Sequence, residues 1–162
     1  MKNSDEVIRP LSELNNMINV GDIGMLSTLS SDGKIHSRPM ETCFIDGESA
    51  LYFFTTMDSH LSEELRGSGR VNLVFVRDKK HEYISITGGI EMINSSDTIA
   101  TYWTDDFNRW IPEGIANPEL VLLKVLPYSA DYWGENSQLK RITRSVLDGD
   151  HVPEKVHKVM VG

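Results

Sequence analysis

The sequence predicts a mainly β fold: a closed antiparallel barrel with short helices packed around it. Three observations support this fold class. Apolar residues alternate with polar ones in several segments, and turns rich in glycine, aspartate and serine separate neighbouring segments. The connections are also too short for the crossover helices that parallel strands require. About six strands joined in this way are expected to close into a barrel.

Six segments have the apolar pattern of strands. They cover residues 24–29, 34–44, 50–56, 71–76, 83–93 and 120–126. Leu51–Phe54 is apolar at every position, which predicts a strand buried on both faces. Pro39 predicts a bend or an edge position in the second strand, and Gly88 with Gly89 predicts a bulge in the fifth.

Four helices are predicted around these strands. They cover residues 4–19, a segment capped by Asp58 or Ser59, a segment capped by Ser95 or Ser96, and residues 138–147. Apolar density falls from Glu135 onward, so the last helix is predicted to be peripheral and residues 148–162 to form a tail. We therefore expect residues 1–162 to form a single domain, with 135–162 at its periphery.

Composition excludes several classes of function. A net charge of −8 and a pI near 5.0 disfavour nucleic acid and anionic membranes as partners. No apolar run is long enough to span a bilayer, and the N-terminus lacks the pattern of a secretory signal, so we expect a cytoplasmic protein. Cys43 is the single cysteine, and the histidines lack metal-ligand spacing, so no disulfide and no metal site are expected.

The junction between the third strand and the next helix predicts an anion site. Thr55, Thr56 and Ser59 supply hydroxyl groups where backbone amides at a helix start are unpaired. The hairpin at Gly47 is expected to bring Arg38 alongside this junction. Arginine presents a planar set of donors suited to phosphate, although a solvated surface charge is an equally good interpretation of Arg38.

Eight motifs extend this pattern over nearly the whole chain. In order, they are Ser37-Arg38-Pro39-Met40, Phe53-Phe54-Thr55-Thr56, Asp58-Ser59-His60, Arg70-Val71-Asn72-Leu73, Tyr83-Ile84-Ser85-Ile86-Thr87-Gly88, Trp110-Ile111-Pro112-Glu113-Gly114, Leu120-Val121-Leu122-Leu123 and Ala130-Asp131-Tyr132-Trp133. Their types and order resemble the general stress protein branch of the pyridoxamine phosphate oxidase-like flavoproteins.

The resemblance implies a split β-barrel, a homodimer, and FMN bound in a groove at the dimer interface. By position, it assigns cofactor binding to Arg38, Pro39, Met40, Phe54, Thr55, Thr56, Ser59, His60, Leu61 and Trp110. Trp110 is expected to cover the ring system. Leu61 occupies a position that is commonly lysine in such proteins, and Gly89 one that is often arginine. We therefore expect a less basic phosphate pocket and weaker FMN binding, which Leu61→Lys would tighten.

The resemblance further implies a flavin-dependent oxidoreductase that acts on an unidentified small molecule. No catalytic residue can be assigned, and a flavin carries the redox chemistry itself. The chain lacks the basic C-terminal segment of true pyridoxamine phosphate oxidases, so formation of pyridoxal phosphate is not expected. The alternative is a non-enzymatic flavin carrier or sensor, or a dimeric split-barrel protein with weakened or lost cofactor binding. A deazaflavin or haem in the same barrel is a third interpretation, without an identifiable axial ligand.

Overall fold

A computed structural model describes residues 7–65, 69–134 and 140–143. The strands and α-helices, in chain order, are β1 (Val7–Pro10), α1 (Leu14–Met17), β2 (Ile23–Leu29), β3 (Ile35–Ile45), β4 (Leu51–Thr56), α2 (Ser59–Leu65), β5 (Arg70–Arg77), β6 (Glu82–Ile93), α3 (Ser96–Tyr102), β7 (Leu120–Trp133) and β8 (Lys140–Thr143). Short 3₁₀ turns cover Leu11–Glu13, Asp78–Lys80, Asp105–Arg109 and Gly114–Ala116.

Six antiparallel strands close into a barrel, which confirms the predicted fold class. Their order is β7-β4-β3-β2-β5-β6, and β6 pairs back onto β7 to complete the ring. The long β7 pairs with β6 along one edge. Along its other edge, the first half of β7 pairs with β4 and the second half with β8. The outermost strand, β1, runs parallel to β8 beside the barrel.

Glycine permits the predicted bulge in β6. The β6–β7 register shifts between Thr87 and Gly88. A Cβ atom at Gly88 would lie 2.3 Å from the backbone oxygen of Leu126, so only glycine allows this close approach.

Two apolar clusters hold the fold together, one on each face of β4. Leu51 and Phe53 point into the barrel interior, whereas Tyr52 and Phe54 point outward beneath α3 and the following 3₁₀ turn. This arrangement confirms that β4 is buried on both faces. The outer cluster includes stacked and edge-on aromatic pairs, among them Phe54 with Trp103 at 5.0 Å.

The structure corrects two predicted helices. Residues 7–10 of the predicted first helix form β1, and only Leu14–Met17 is α-helical. Residues 140–143 of the predicted peripheral helix form strand β8. The rest of the C-terminal prediction, covering residues 135–139 and 144–162, lies outside the described residues, as do residues 1–6 and 66–68. The single domain over 1–162 therefore stays a prediction.

Candidate functional site

A cleft opens where β3 and β4 separate. Their pairing extends from Ile45↔Leu51 to Thr42↔Phe53, after which, among the strands that the structure describes, β3 pairs only with β2 and β4 only with β7. The cleft has a volume of about 200 Å³. Its walls are contributed by β2, β3, β4 and the loop after α3, through Ile23, Pro39, Met40, Glu41, Phe54, Thr55, Thr56, Phe107, Trp110 and Ile111.

Six of the ten predicted cofactor-binding residues line this cleft. They are Pro39, Met40, Phe54, Thr55, Thr56 and Trp110. The hairpin about Gly47 brings the first five together, because it places the ends of β3 and β4 side by side. The strand parity turns Phe54 and Thr56 toward the outer side of the barrel, where Phe107 and Ile111 form an apolar wall.

The other four predicted residues lie outside the cleft lining. Arg38 points toward α2, where its guanidinium forms an ion pair with Glu64. Thr28 donates to the same carboxylate at 2.7 Å, and His36 lies 3.9 Å from it. Because Glu64 is buried, its charge must be balanced locally. Arg38 is thus neither a solvated surface charge nor an unpaired cation.

The start of α2 is less open to an anion than the sequence predicts. Asp58 caps the helix, because its Oδ1 accepts from the Leu61 backbone amide at 2.7 Å. This hydrogen bond uses one of the backbone amides at the helix start, and the Asp58 carboxylate would repel a phosphate bound there. His60 is exposed on this turn, and Ser59 occupies its first position.

The structure does not place the Leu61 side chain at the cleft, although Leu61 was among the predicted cofactor-binding residues. Its side chain has 0% exposure and packs in the barrel interior with the apolar cluster, on the same helical face as Leu65. The side chain therefore cannot contact a ligand in the cleft. The weaker binding predicted from a missing lysine at this position has no basis in the geometry.

Four cleft residues were not predicted: Ile23, Glu41, Phe107 and Ile111. Ile111 belongs to the Trp-Ile-Pro-Glu-Gly motif, so the motif could have indicated it. Glu41 follows Met40 directly and would have been found by extending the strand wall by one residue. The position of Phe107 depends on how the loop after α3 folds back, for which the sequence carries no local signal.

Glu41 joins two walls of the cleft. Its Oε2 accepts from the Trp110 indole nitrogen, and its Oε1 accepts from Arg109, each at 2.5 Å. The carboxylate raises the pKa of Arg109 above its usual value, through the hydrogen bond and the opposite charge. Arg109 therefore stays charged, and its guanidinium forms an ion pair with Glu41.

Burial makes the Cys43 thiol a poor nucleophile. Burial raises the pKa of the Cys43 thiol to about 12, so it stays protonated at neutral pH. Within residues 7–65, 69–134 and 140–143 no group of His, Cys, Asp and Glu is placed to hold a metal ion.

No helix of the described part is long and apolar enough to cross a membrane.

The closed barrel and the cleft at its split define a split-barrel protein whose cleft is lined by aromatic and hydroxyl-bearing residues. The family model for pyridoxamine 5'-phosphate oxidase-like proteins matches residues 9–149. The chain therefore belongs to the pyridoxamine 5'-phosphate oxidase-like family, as the motifs indicate.

Solved structures show the same fold. A Clostridium acetobutylicum protein related to general stress protein 26 is 22% identical with a TM-score of 0.71, covering 82% of this chain and 93% of its own. A pyridoxamine 5'-phosphate oxidase-related, FMN-binding protein from Nostoc punctiforme is 14% identical with a TM-score of 0.58, covering 81% and 84%.

A third solved structure is closer in sequence. The general stress FMN/FAD binding protein from Xanthomonas citri is 28% identical with a TM-score of 0.58, covering 73% of this chain and 83% of its own. No functionally curated protein matches this chain significantly.

Proposed function

We propose that this protein binds FMN in the cleft between β3 and β4. The observation that carries the proposal is the combination, in one cleft, of an aromatic wall with the adjacent residues Thr55 and Thr56 and an open strand edge. A flavin needs these three elements for its ring, its polyol chain and its ring edge. Family membership and the description of the Xanthomonas citri protein as FMN/FAD binding support the same ligand.

The cleft residues suit different parts of FMN. Phe107 and Trp110 offer apolar surface for the isoalloxazine ring, and Thr55 with Thr56 offers hydroxyls for the ribityl chain and phosphate. Among the described strands, residues 39–41 of β3 have no partner on the cleft side, so those of their backbone polar groups that face away from β2 are available to the ring edge. Ser59 and His60 are proposed to close the phosphate end.

The phosphate end is proposed to rely on hydroxyls rather than on a cation. None of the described lining residues is lysine or arginine. Arg38 and Arg109, which precede the lining residues Pro39 and Trp110 in the sequence, are paired with Glu64 and Glu41. Because the described lining offers the phosphate no charge-assisted hydrogen bond from lysine or arginine, we expect modest affinity for FMN.

A second copy of the chain is proposed to complete the site. The cleft is smaller than the roughly 300–1,000 Å³ of most small-molecule pockets. Beside it, the outer faces of β2, β3 and β5 expose large apolar side chains: Ile23, Met25, Leu29, Ile35 and Val76. Exposed apolar surface continuous with an incomplete cleft supports a homodimer with the flavin at the interface.

When bound, FMN supplies hydride and electron transfer. The chain's own residues then hold the ring, exclude water from one side and leave an opening for a small substrate. We propose an oxidoreductase that acts on an unidentified small molecule, and not a true pyridoxamine phosphate oxidase.

A non-enzymatic flavin carrier or sensor is the second candidate, favoured by the absence of an acid or base free for catalysis among the described lining residues. A cytoplasmic location stays a prediction.

Thermal unfolding with added ligands tests the binding proposal. Saturating FMN is expected to raise Tm and to be retained as a visible absorption band, because a ligand of the folded state stabilises it by mass action. Riboflavin, which lacks the phosphate, and haemin serve as comparison ligands. An unchanged Tm with FMN contradicts the proposal, and a shift with haemin alone supports the haem interpretation instead.

Turnover is tested on the FMN-loaded protein. Addition of NADPH or NADH under anaerobic conditions is expected to bleach the flavin band faster than it bleaches free FMN at the same concentration. Bleaching at the rate of free FMN favours the carrier or sensor, provided that the Tm shift has shown binding.

A further inference from the structure

Glu41 connects two segments that are far apart in the sequence. It lies on β3, whereas its partners Arg109 and Trp110 end the 3₁₀ turn Asp105–Arg109 and begin the next loop. The Glu41 side chain is only 11% exposed and lines the cleft, so both hydrogen bonds form at the cleft wall. Each carboxylate oxygen is engaged by one partner.

Trp110 depends on this contact for its orientation. Its side chain is 53% exposed, so packing alone holds the indole loosely. The hydrogen bond from its ring nitrogen to Glu41 fixes the rotation of the ring, and the Arg109 guanidinium lies over the indole at 5.7 Å from the ring centre. The three side chains therefore form one cluster in which Arg109 covers one face of the indole.

We propose that Glu41 is a positioning residue that holds Trp110 at the mouth of the cleft, with one indole face covered by Arg109 and the other left for the planar ring of the ligand. This inference rests on the proposed function for the identity of the ligand. It assigns the specificity of the cleft for a flat aromatic ring to a residue whose side chain contacts Trp110 and Arg109 rather than the ring. Glu41 acts through Trp110.

The first test needs no ligand. Protein labelled with 5-fluorotryptophan gives a fluorine resonance for each of Trp103, Trp110 and Trp133, and Trp110→Phe assigns one of them. Glu41→Ala is expected to shift and sharpen the Trp110 resonance while the other two stay in place, because the indole becomes mobile. Glu41→Gln is expected to lie between wild type and Glu41→Ala, because its amide oxygen still accepts from the indole.

Glu48→Ala is the matched control. Glu48 is an exposed carboxylate in the turn between β3 and β4, away from the cleft lining. It is expected to leave all three resonances unchanged. A Trp110 resonance that is equally unchanged in Glu41→Ala overturns the inference.

The second test measures FMN affinity in a double-mutant cycle. Glu41→Ala is expected to raise the Kd for FMN about three- to tenfold, the range of one aromatic contact. In a Trp110→Phe background the same substitution is expected to have little further effect, because phenylalanine cannot donate to Glu41. Equal effects of Glu41→Ala in both backgrounds would mean direct ligand contact and would overturn the positioning role.

The two tests separate this inference from the proposed function. If wild-type protein does not bind FMN, the proposed function fails, and the ligand-free fluorine resonances still decide whether Glu41 positions Trp110. If FMN binds and the Trp110 resonance does not respond to Glu41→Ala, only the positioning role fails.

Discussion

At the scale of single residues, Arg38 and Glu64 show how the barrel uses charge. The pair joins β3 to α2, and Thr28 adds a hydrogen bond to the same buried carboxylate. A buried ion pair is costly to break from one side, because the remaining charge is then unbalanced in a poorly solvated place. Arg38 therefore has a structural role that its position in a ligand motif does not reveal.

We predict that Arg38→Ala destabilises the fold by about 2–3 kcal/mol, because it leaves Glu64 buried without its cation. This differs from the effect on binding alone that a free phosphate-binding arginine would show. Urea unfolding at neutral pH measures the change, with Lys79→Ala, an exposed cation, as control. Equal stability of Arg38→Ala and wild type would show that the pair does not form.

The second prediction at this scale concerns Leu61→Lys. We expect a loss of about 3 kcal/mol or more in stability and no tighter FMN binding, because the lysine would enter the apolar interior of the barrel. Leu61→Met, which keeps the volume and polarity of the site, is expected to cost less than about 1.5 kcal/mol. A stable Leu61→Lys protein with a lower Kd for FMN would place this side chain at the cleft after all.

At the scale of elements, the bulge in β6 allows the barrel to close against β7. Gly88→Ala is predicted to destabilise the protein by about 2–3 kcal/mol, since the added methyl group meets the backbone of Leu126, which cannot move aside as a side chain can. Gly47→Ala is the matched control, because nothing lies within 4 Å of its added methyl group. Comparable urea midpoints for the two variants would contradict the tight contact.

The strands of the barrel were predictable because their signals are local. Hairpin turns, such as the one at residues 30–33, and apolar alternation occur within each pair of strands. By contrast, β1 pairs with β8, more than a hundred residues away in the chain, and no turn or periodicity links them. A short apolar segment near the N-terminus was therefore interpreted as part of a helix. Tertiary pairing decided its conformation.

The same distinction explains the candidate site. Pro39–Glu41 and Phe54–Thr56 meet because one hairpin connects them, so the two strand walls followed from the order of the motifs. The partners of Arg38 and Glu41 lie 26 and 68 residues away, on elements whose approach depends on the closed barrel. The sequence therefore predicts the pairing of β3 with β4, whereas it carries no signal for which charges neutralise each other.

At the scale of the whole molecule, the apolar outer face beside the cleft predicts a dimer that matters for binding. Met25→Glu, near the centre of this face on β2, is expected to give a monomer that retains its fold and binds FMN at least tenfold more weakly. Sedimentation velocity and FMN titration measure the two effects. Ile115→Glu, at an exposed position in the 3₁₀ turn Gly114–Ala116, is expected to leave both unchanged.

The dimer prediction has a clear opposite result. A wild-type chain that sediments as a monomer at micromolar concentration and still binds FMN would show that the cleft needs no second subunit. A dimer that survives Met25→Glu would place the interface on another surface.

The central claim is that the cleft between β3 and β4 is a flavin site. Equilibrium dialysis of the purified protein against FMN tests it most directly, since it measures affinity and stoichiometry without assuming any activity. We predict saturable binding of about one FMN per chain, weakened by Phe107→Ala, which removes one aromatic wall of the cleft. Failure to retain FMN at any concentration up to about 1 mM, a free energy of only about −4 kcal/mol, would contradict the claim.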